Sequence, residues 1–178
     1  MAKTLSKQLD KLYTGTEESQ IDATLELALL LERTLFPGRH DATHQLILSK
    51  ELMNLQISPH EKNEIVRSMC AEVLGNRVCH EARMSLIGSL GNLIETCCLE
   101  TIVEFLEAHA DSLNDEDAYT VLVSLNLWHY PEQCMVEVKN LLAKHHTVNV
   151  LEKLTERRSE RLEEPIKRVV ATITKFNS

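Results

Sequence analysis

Aromatic residues are scarce in this chain: three Phe, three Tyr and one Trp among 178 residues. Glycine and proline are almost as rare, at five and four. Sheets draw on aromatic and β-branched residues, and barrels and sandwiches need Gly and Pro at many turns. The shortage therefore argues against an open Rossmann-type sheet or a β-barrel. Long apolar runs are also missing, Ala28 to Leu31 being typical, so no membrane span and no membrane partner are expected. The five cysteines are an odd number in a chain with room for a core, which points to a reducing compartment rather than a disulfide framework. Met1 to Leu12 is polar and amphipathic, without the apolar centre of a secretory signal, and a cytoplasmic location is expected. Positive charge is short too. Nineteen Lys and Arg face 27 Asp and Glu, a formal charge of -8 that counts against nucleic acid as a partner.

What the chain has in quantity is leucine, 28 residues of it. Leucine loses little rotamer freedom in a helix, and its spacing here is helical. Leu5, Leu9 and Leu12 predict a short helix stopped near Gly15, and a second runs from Thr16 to Leu35 before Phe36-Pro37-Gly38. Further helices are expected from about His40 to Gln56, Ser58 to Leu74, Cys79 to Leu93, Cys98 to Ala110 and Asn114 to Leu125. Ser58-Pro59-His60-Glu61 is the sharpest start signal, with a capping residue, a proline where no amide donor is needed, and Glu at the third helical position. Tyr130-Pro131 marks a boundary, Val136 to Leu142 continues beyond it, and His145 to Asn149 reads as a loose polar junction. Pro165 is expected to interrupt or start the final helix. The fold class is all-α in one domain, 1-178, with 149-178 as a C-terminal capping segment.

Asp41-Ala42, Glu81-Ala82 and Asp117-Ala118 recur at separations of 40 and 36 residues, and Leu46, Leu86 and Leu122 each follow five residues after the acid. A two-helix unit at that period predicts antiparallel pairs stacked as a solenoid; an irregular all-helical bundle is the alternative. The stretch Glu81 to Leu93, followed by Leu99 to Leu106, resembles the HEAT-like helical repeat family. That resemblance implies packing or turning roles for Ala82, Leu86, Leu90 and Gly91, with Ile102 and Leu106 facing a neighbouring helix. Asn126 and Leu127 depart from the Leu-Gly ending found at Leu90-Gly91.

No phosphate loop, dinucleotide fingerprint, zinc-protease motif or nucleophile elbow is present, so no catalytic or cofactor-binding residue is assigned. His40 and His44 share a helical face without an evident third ligand, and Cys70, Cys79, Cys97, Cys98 and Cys134 lack zinc-site spacing. No metal site is assigned and no stoichiometric zinc is expected. Cys97 and Cys98 fall at a helix start, where a thiolate is favoured; an enzyme would require His80 or His109 beside them. The carboxylate pairs Glu100/Glu104 and Glu160/Glu164 read as solvated faces. Arg157, Arg158, Arg161, Lys167 and Arg168 form a basic cluster nearly cancelled by neighbouring Glu residues.

Trp128 and Tyr130, beside Pro131, are the candidate partner-binding residues, because large amphipathic rings supply much of the binding energy at protein interfaces. The expected function is a non-enzymatic protein-protein interaction or assembly module. An enzyme on a helical scaffold and a nucleic-acid-binding repeat protein are the alternatives.

Overall fold

The computed structural model describes residues 3–35, 47–48, 50–75 and 77–176. Every regular element among them is helical, as the leucine-rich, glycine-poor composition predicts. None of these helices is long and apolar enough to cross a membrane. The chain divides into two compact units, Met1–Ser89 and Leu90–Ser178.

The first unit holds α1 (Lys3–Thr14), α2 (Glu17–Leu35), the single turn α3 (Lys50–Met53), α4 (Pro59–Leu74) and most of α5 (His80–Gly91). Helix α1 packs along α2. Leu5, Leu9 and Leu12 of the first and Leu27, Leu30 and Leu31 of the second are buried. Polar side chains fasten the links. Gln20 donates to the Arg77 carbonyl at 3.2 Å and accepts the Cys79 amide at 2.8 Å, which pins the approach to α5. Arg33 donates to the carbonyls of Leu52 and Leu55 at 3.2 and 2.9 Å and so holds the end of α3.

Helix α4 begins where the sequence says. The Ser58 hydroxyl accepts the Glu61 amide at 3.3 Å, and the Glu61 carboxylate accepts the Ser58 amide at 3.1 Å, with Pro59 in the first turn. Of the expected helix from His40 to Gln56, residues 40–46 and 49 lie outside the described residues. Its described part is helical at Ile47 and over Lys50–Met53 and turns at Asn54. The first copy of the repeat, with Asp41, Ala42, Leu46 and the His40/His44 pair, likewise lies outside them.

The second unit contains α6 (Thr96–His109), α7 (Asp115–Ser124), 3-10 turns at Leu127–His129 and Glu132–Cys134, α8 (Met135–Lys144), α9 (Thr147–Glu156) and α10 (Glu160–Phe176). Helix α6 packs on α7, α8 and α9, while α7 packs on α10. Helix α9 also packs on α8 and α10.

Two expectations are corrected here. Residues 145–149 are not a loose junction: His145 and His146 alone separate α8 from α9. The buried stripe Thr147, Val150, Leu151 and Leu154 drives this helix, and the dense charge that follows it obscures the stripe in the sequence. His145 is itself buried, with Nδ1 at 2.9 Å from the Glu107 carboxylate. Pro165 neither interrupts nor starts α10 but lies inside it. It is the sixth residue of α10, where its missing amide forgoes one intrahelical bond, and its ring is buried beside Leu162, Ile166 and Val169 on the inward face.

Candidate functional site

Helix α7 turns Ala118, Val121 and Leu122 inward and leaves Tyr119 and Val123, four residues apart, on its outer side. Asn114 starts the helix by accepting the Asp117 amide at 2.9 Å. Asn126 ends the segment in the left-handed conformation, φ 47°, which Asn tolerates better than most residues. This turn aims Trp128 outward, and the ring is 42% exposed. Across from it α10 presents Arg161 and Arg168. Tyr119, Val123, Trp128, Arg161, Pro165 and Arg168 line a concavity of about 290 Å³. The Arg161 guanidinium lies 5.0 Å from the Tyr119 ring centre, and that of Arg168 lies 5.9 Å from the Trp128 ring centre. On its other side Trp128 borders a second concavity, of about 340 Å³, with Ala171 and Thr172 of α10. The indole is thus a ridge between two hollows.

The other ring singled out in the sequence behaves differently. Tyr130 is 7% exposed, and its hydroxyl donates to the Glu95 carbonyl at 3.1 Å. It seals the corner where α6 begins. Burial, then the surrounding thiols and the Glu95 carboxylate, raise its pKa. Trp128 and Tyr130 do not form one exposed pair, and Tyr119 takes the second aromatic place on the open surface. The signal for Tyr119 was an aromatic outside the buried stripe of its own helix, a weak signal before the helix partners are known.

No protein-family model, curated protein or solved structure matches this chain. The chemistry available must be read from its own side chains.

Glu95, Cys97 and Cys98 occupy the start of α6, and one ligand atom from each lies within 4.8 Å of the others. Cys97 is exposed, whereas Cys98 is fully buried. A hydrogen bond from the Cys98 thiol brings the Cys97 thiol down to about 7, against the opposing effects of burial and of the Glu95 carboxylate. His109, at the far end of the same helix, is ~20 Å away by helical rise and provides no base there. Its ring packs on Phe105 instead.

This arrangement yields a reactivity prediction. With a chelator present, iodoacetamide is expected to label Cys97 before the other cysteines, with a rate that rises through a midpoint near pH 7. Glu95→Gln removes a negative neighbour and is expected to move the midpoint to lower pH; Cys98→Ala removes the thiol donor and is expected to move it higher. Peptide mass spectrometry across a pH series measures this. A midpoint at the value of a free thiol would count against the geometry.

Several of the remaining candidates are engaged in holding the fold. Glu100 accepts from Lys144 at 2.6 Å, which holds the Glu100 carboxyl below its ordinary range. Arg157 donates to the carbonyls of Ala110 and Leu113 at the end of α6. Arg161 pairs with Glu116, Lys167 with Glu163, and Arg168 with Glu164. The charged outer face of α10 is therefore laced with ion pairs.

Proposed function

We propose that this protein is a non-enzymatic protein-interaction module built of HEAT-like stacked helix pairs, and that it binds through the Trp128 surface. The observation that carries the reading is the exposed indole between two hollows, with Tyr119 and Val123 continuing the apolar surface along α7. Rigid rings of this kind lose little entropy when covered. The stacked-pair architecture draws support from the tertiary hydrogen bonds of the second unit. Asn126 to Gly91, Tyr130 to Glu95, Lys144 to Glu100, His145 to Glu107, Arg161 to Glu116 and Arg157 to Ala110 join residues 35 to 47 apart. The lower end of that range is close to the 36- and 40-residue spacing of the repeated Ala and Leu positions, as expected when each helix pair rests on the one before. The occupant we infer is a short segment of another protein with an aromatic or branched apolar anchor, sized for the hollow beside Trp128.

The test is selection from a displayed peptide library against the whole chain. Trp128→Ala, at an exposed position, is expected to keep the helical circular dichroism and to weaken the selected peptides more than tenfold, equivalent to about 1.4 kcal/mol. Tyr119→Ala is expected to weaken them by a smaller factor. Peptides without an apolar anchor, or with unchanged affinity for Trp128→Ala, would overturn the assignment of this surface.

A further inference from the structure

We propose that Glu95, Cys97 and Cys98 form a binding site for a thiophilic divalent cation of the zinc class. Among the described residues this is the one place where three side chains of metal-ligating type converge. The argument starts from distances. A tetrahedral zinc ion with sulfur ligands at about 2.3 Å and a carboxylate oxygen at about 2.0–2.2 Å holds its ligand atoms roughly 3.5–3.8 Å apart. The three ligand atoms here already lie within 4.8 Å of one another, and the Cys97 sulfur is 3.9 Å from a Glu95 carboxylate oxygen. To close the set, the ligand atoms have to draw in by roughly 1 Å.

Ligand type points the same way. Two thiolates and one carboxylate suit zinc, whereas calcium and magnesium take oxygen ligands. Burial is asymmetric in a useful sense: Cys98 is fully covered while Cys97 reaches solvent. An ion held between them keeps one wall of protein and one open side, so water can fill the fourth position and the ion has a path of entry.

Charge is the term that would decide against a cation here, because the start of a helix carries partial positive charge. The bound assembly, however, is anionic: two thiolates and one carboxylate outweigh a divalent ion by one negative charge. The helix start therefore favours the complex. Support comes from behind the ligands. The Tyr130 hydroxyl holds the Glu95 carbonyl at 3.1 Å, and the side-chain amide of Asn126 holds the Gly91 carbonyl at 2.9 Å, so the residue that opens the ligand run is fixed from the neighbouring segment. The sequence offered no zinc spacing because the third donor is Glu95, a residue type too common beside cysteine to signal a site.

The test uses the full chain, reduced and freed of metal by a chelator, titrated with zinc in competition with a chromophoric chelator. Cobalt serves as the spectroscopic reporter. One equivalent of zinc is expected to bind, and the cobalt complex is expected to show thiolate charge-transfer absorption in the near ultraviolet. Cys97→Ser, at an exposed position, is expected to weaken zinc at least tenfold with unchanged circular dichroism. Cys98→Ala should do the same, and Glu95→Gln should weaken it severalfold; if Cys98→Ala fails to fold, Cys97→Ser and Glu95→Gln decide alone. The double variant Cys70→Ser, Cys79→Ser is expected to bind as the parent does. Absence of stoichiometric binding, binding that survives Cys97→Ser, or binding lost with Cys70 and Cys79 would each overturn the proposal. None of these outcomes bears on the Trp128 surface.

Discussion

Leu86→Ala is expected to lower the free energy of unfolding by about 2–5 kcal/mol. The side chain is 0% exposed, and Ala82 and Leu90, four residues to either side on α5, are equally buried. Removing three carbons there forfeits their transfer energy. It also opens a cavity that a close-packed helix face cannot refill, since backbone positions on both sides are held by the same buried row. Urea unfolding followed by circular dichroism measures the loss as a lower midpoint at unchanged slope. A change below about 0.5 kcal/mol would mean that Leu86 is not part of the core.

The second large effect is expected at Gly91, three residues after a glycine that should behave in the opposite way. A Cβ added at Gly91 would overlap the Ser124 carbonyl oxygen and stand 2.8 Å from the Ser124 Cα. Both are backbone atoms and cannot rotate aside. Gly91→Ala must therefore push the ends of α5 and α7 apart and strain the bond from Asn126 to the Gly91 carbonyl. The expected cost is about 2–3 kcal/mol, in the upper range for overpacking. At Gly88 no described atom lies within 4 Å of an added Cβ. Gly88→Ala in the same helix is expected to stabilise by about 0.5–1 kcal/mol, because alanine loses less backbone freedom on folding. Thermal unfolding of the two single variants gives the comparison directly. Equal stability of Gly91→Ala and the parent would show that the close approach does not exist in solution.

The close approach also decides what Gly91 does. From the sequence, either packing or turning is expected at this position. The structure shows packing: the positive φ in the link to α6 belongs to Ile94, at 53°, and the one at the end of α7 belongs to Asn126. Ile94 is the more strained of the two, since a branched side chain rarely adopts that conformation.

Helix starts were legible because their causes are local. Ser58 and Glu61 exchange their hydrogen bonds across three residues, and Asn114 accepts the Asp117 amide over the same span. The boundary at Tyr130-Pro131 and the buried leucines of α1, α2 and α5 were readable for the same reason, since a period of 3.6 residues needs no knowledge of the partner. Helix α9 escaped because its stripe is short and its surroundings are charged. Pro165 misled because a local rule about proline was applied without knowing that the ring faces a buried interface.

The sequence by itself determined the helical class, most helix boundaries and the buried faces of α1 and α5, all of which follow from interactions within one or two turns of chain. Only the tertiary structure decided which of two neighbouring rings faces water. Trp128 and Tyr130 are two residues apart and alike in composition. Yet one borders α10 at the surface and the other is fixed to the Glu95 carbonyl, 35 residues earlier. The same holds for the thiols, whose burial depends on what packs over the start of α6, and for Arg157, whose carbonyl partner Leu113 is 44 residues away. Exposure and partnership at these positions are set by how helices pack against one another. That packing depends on the shape of whole faces rather than on any short run of residues.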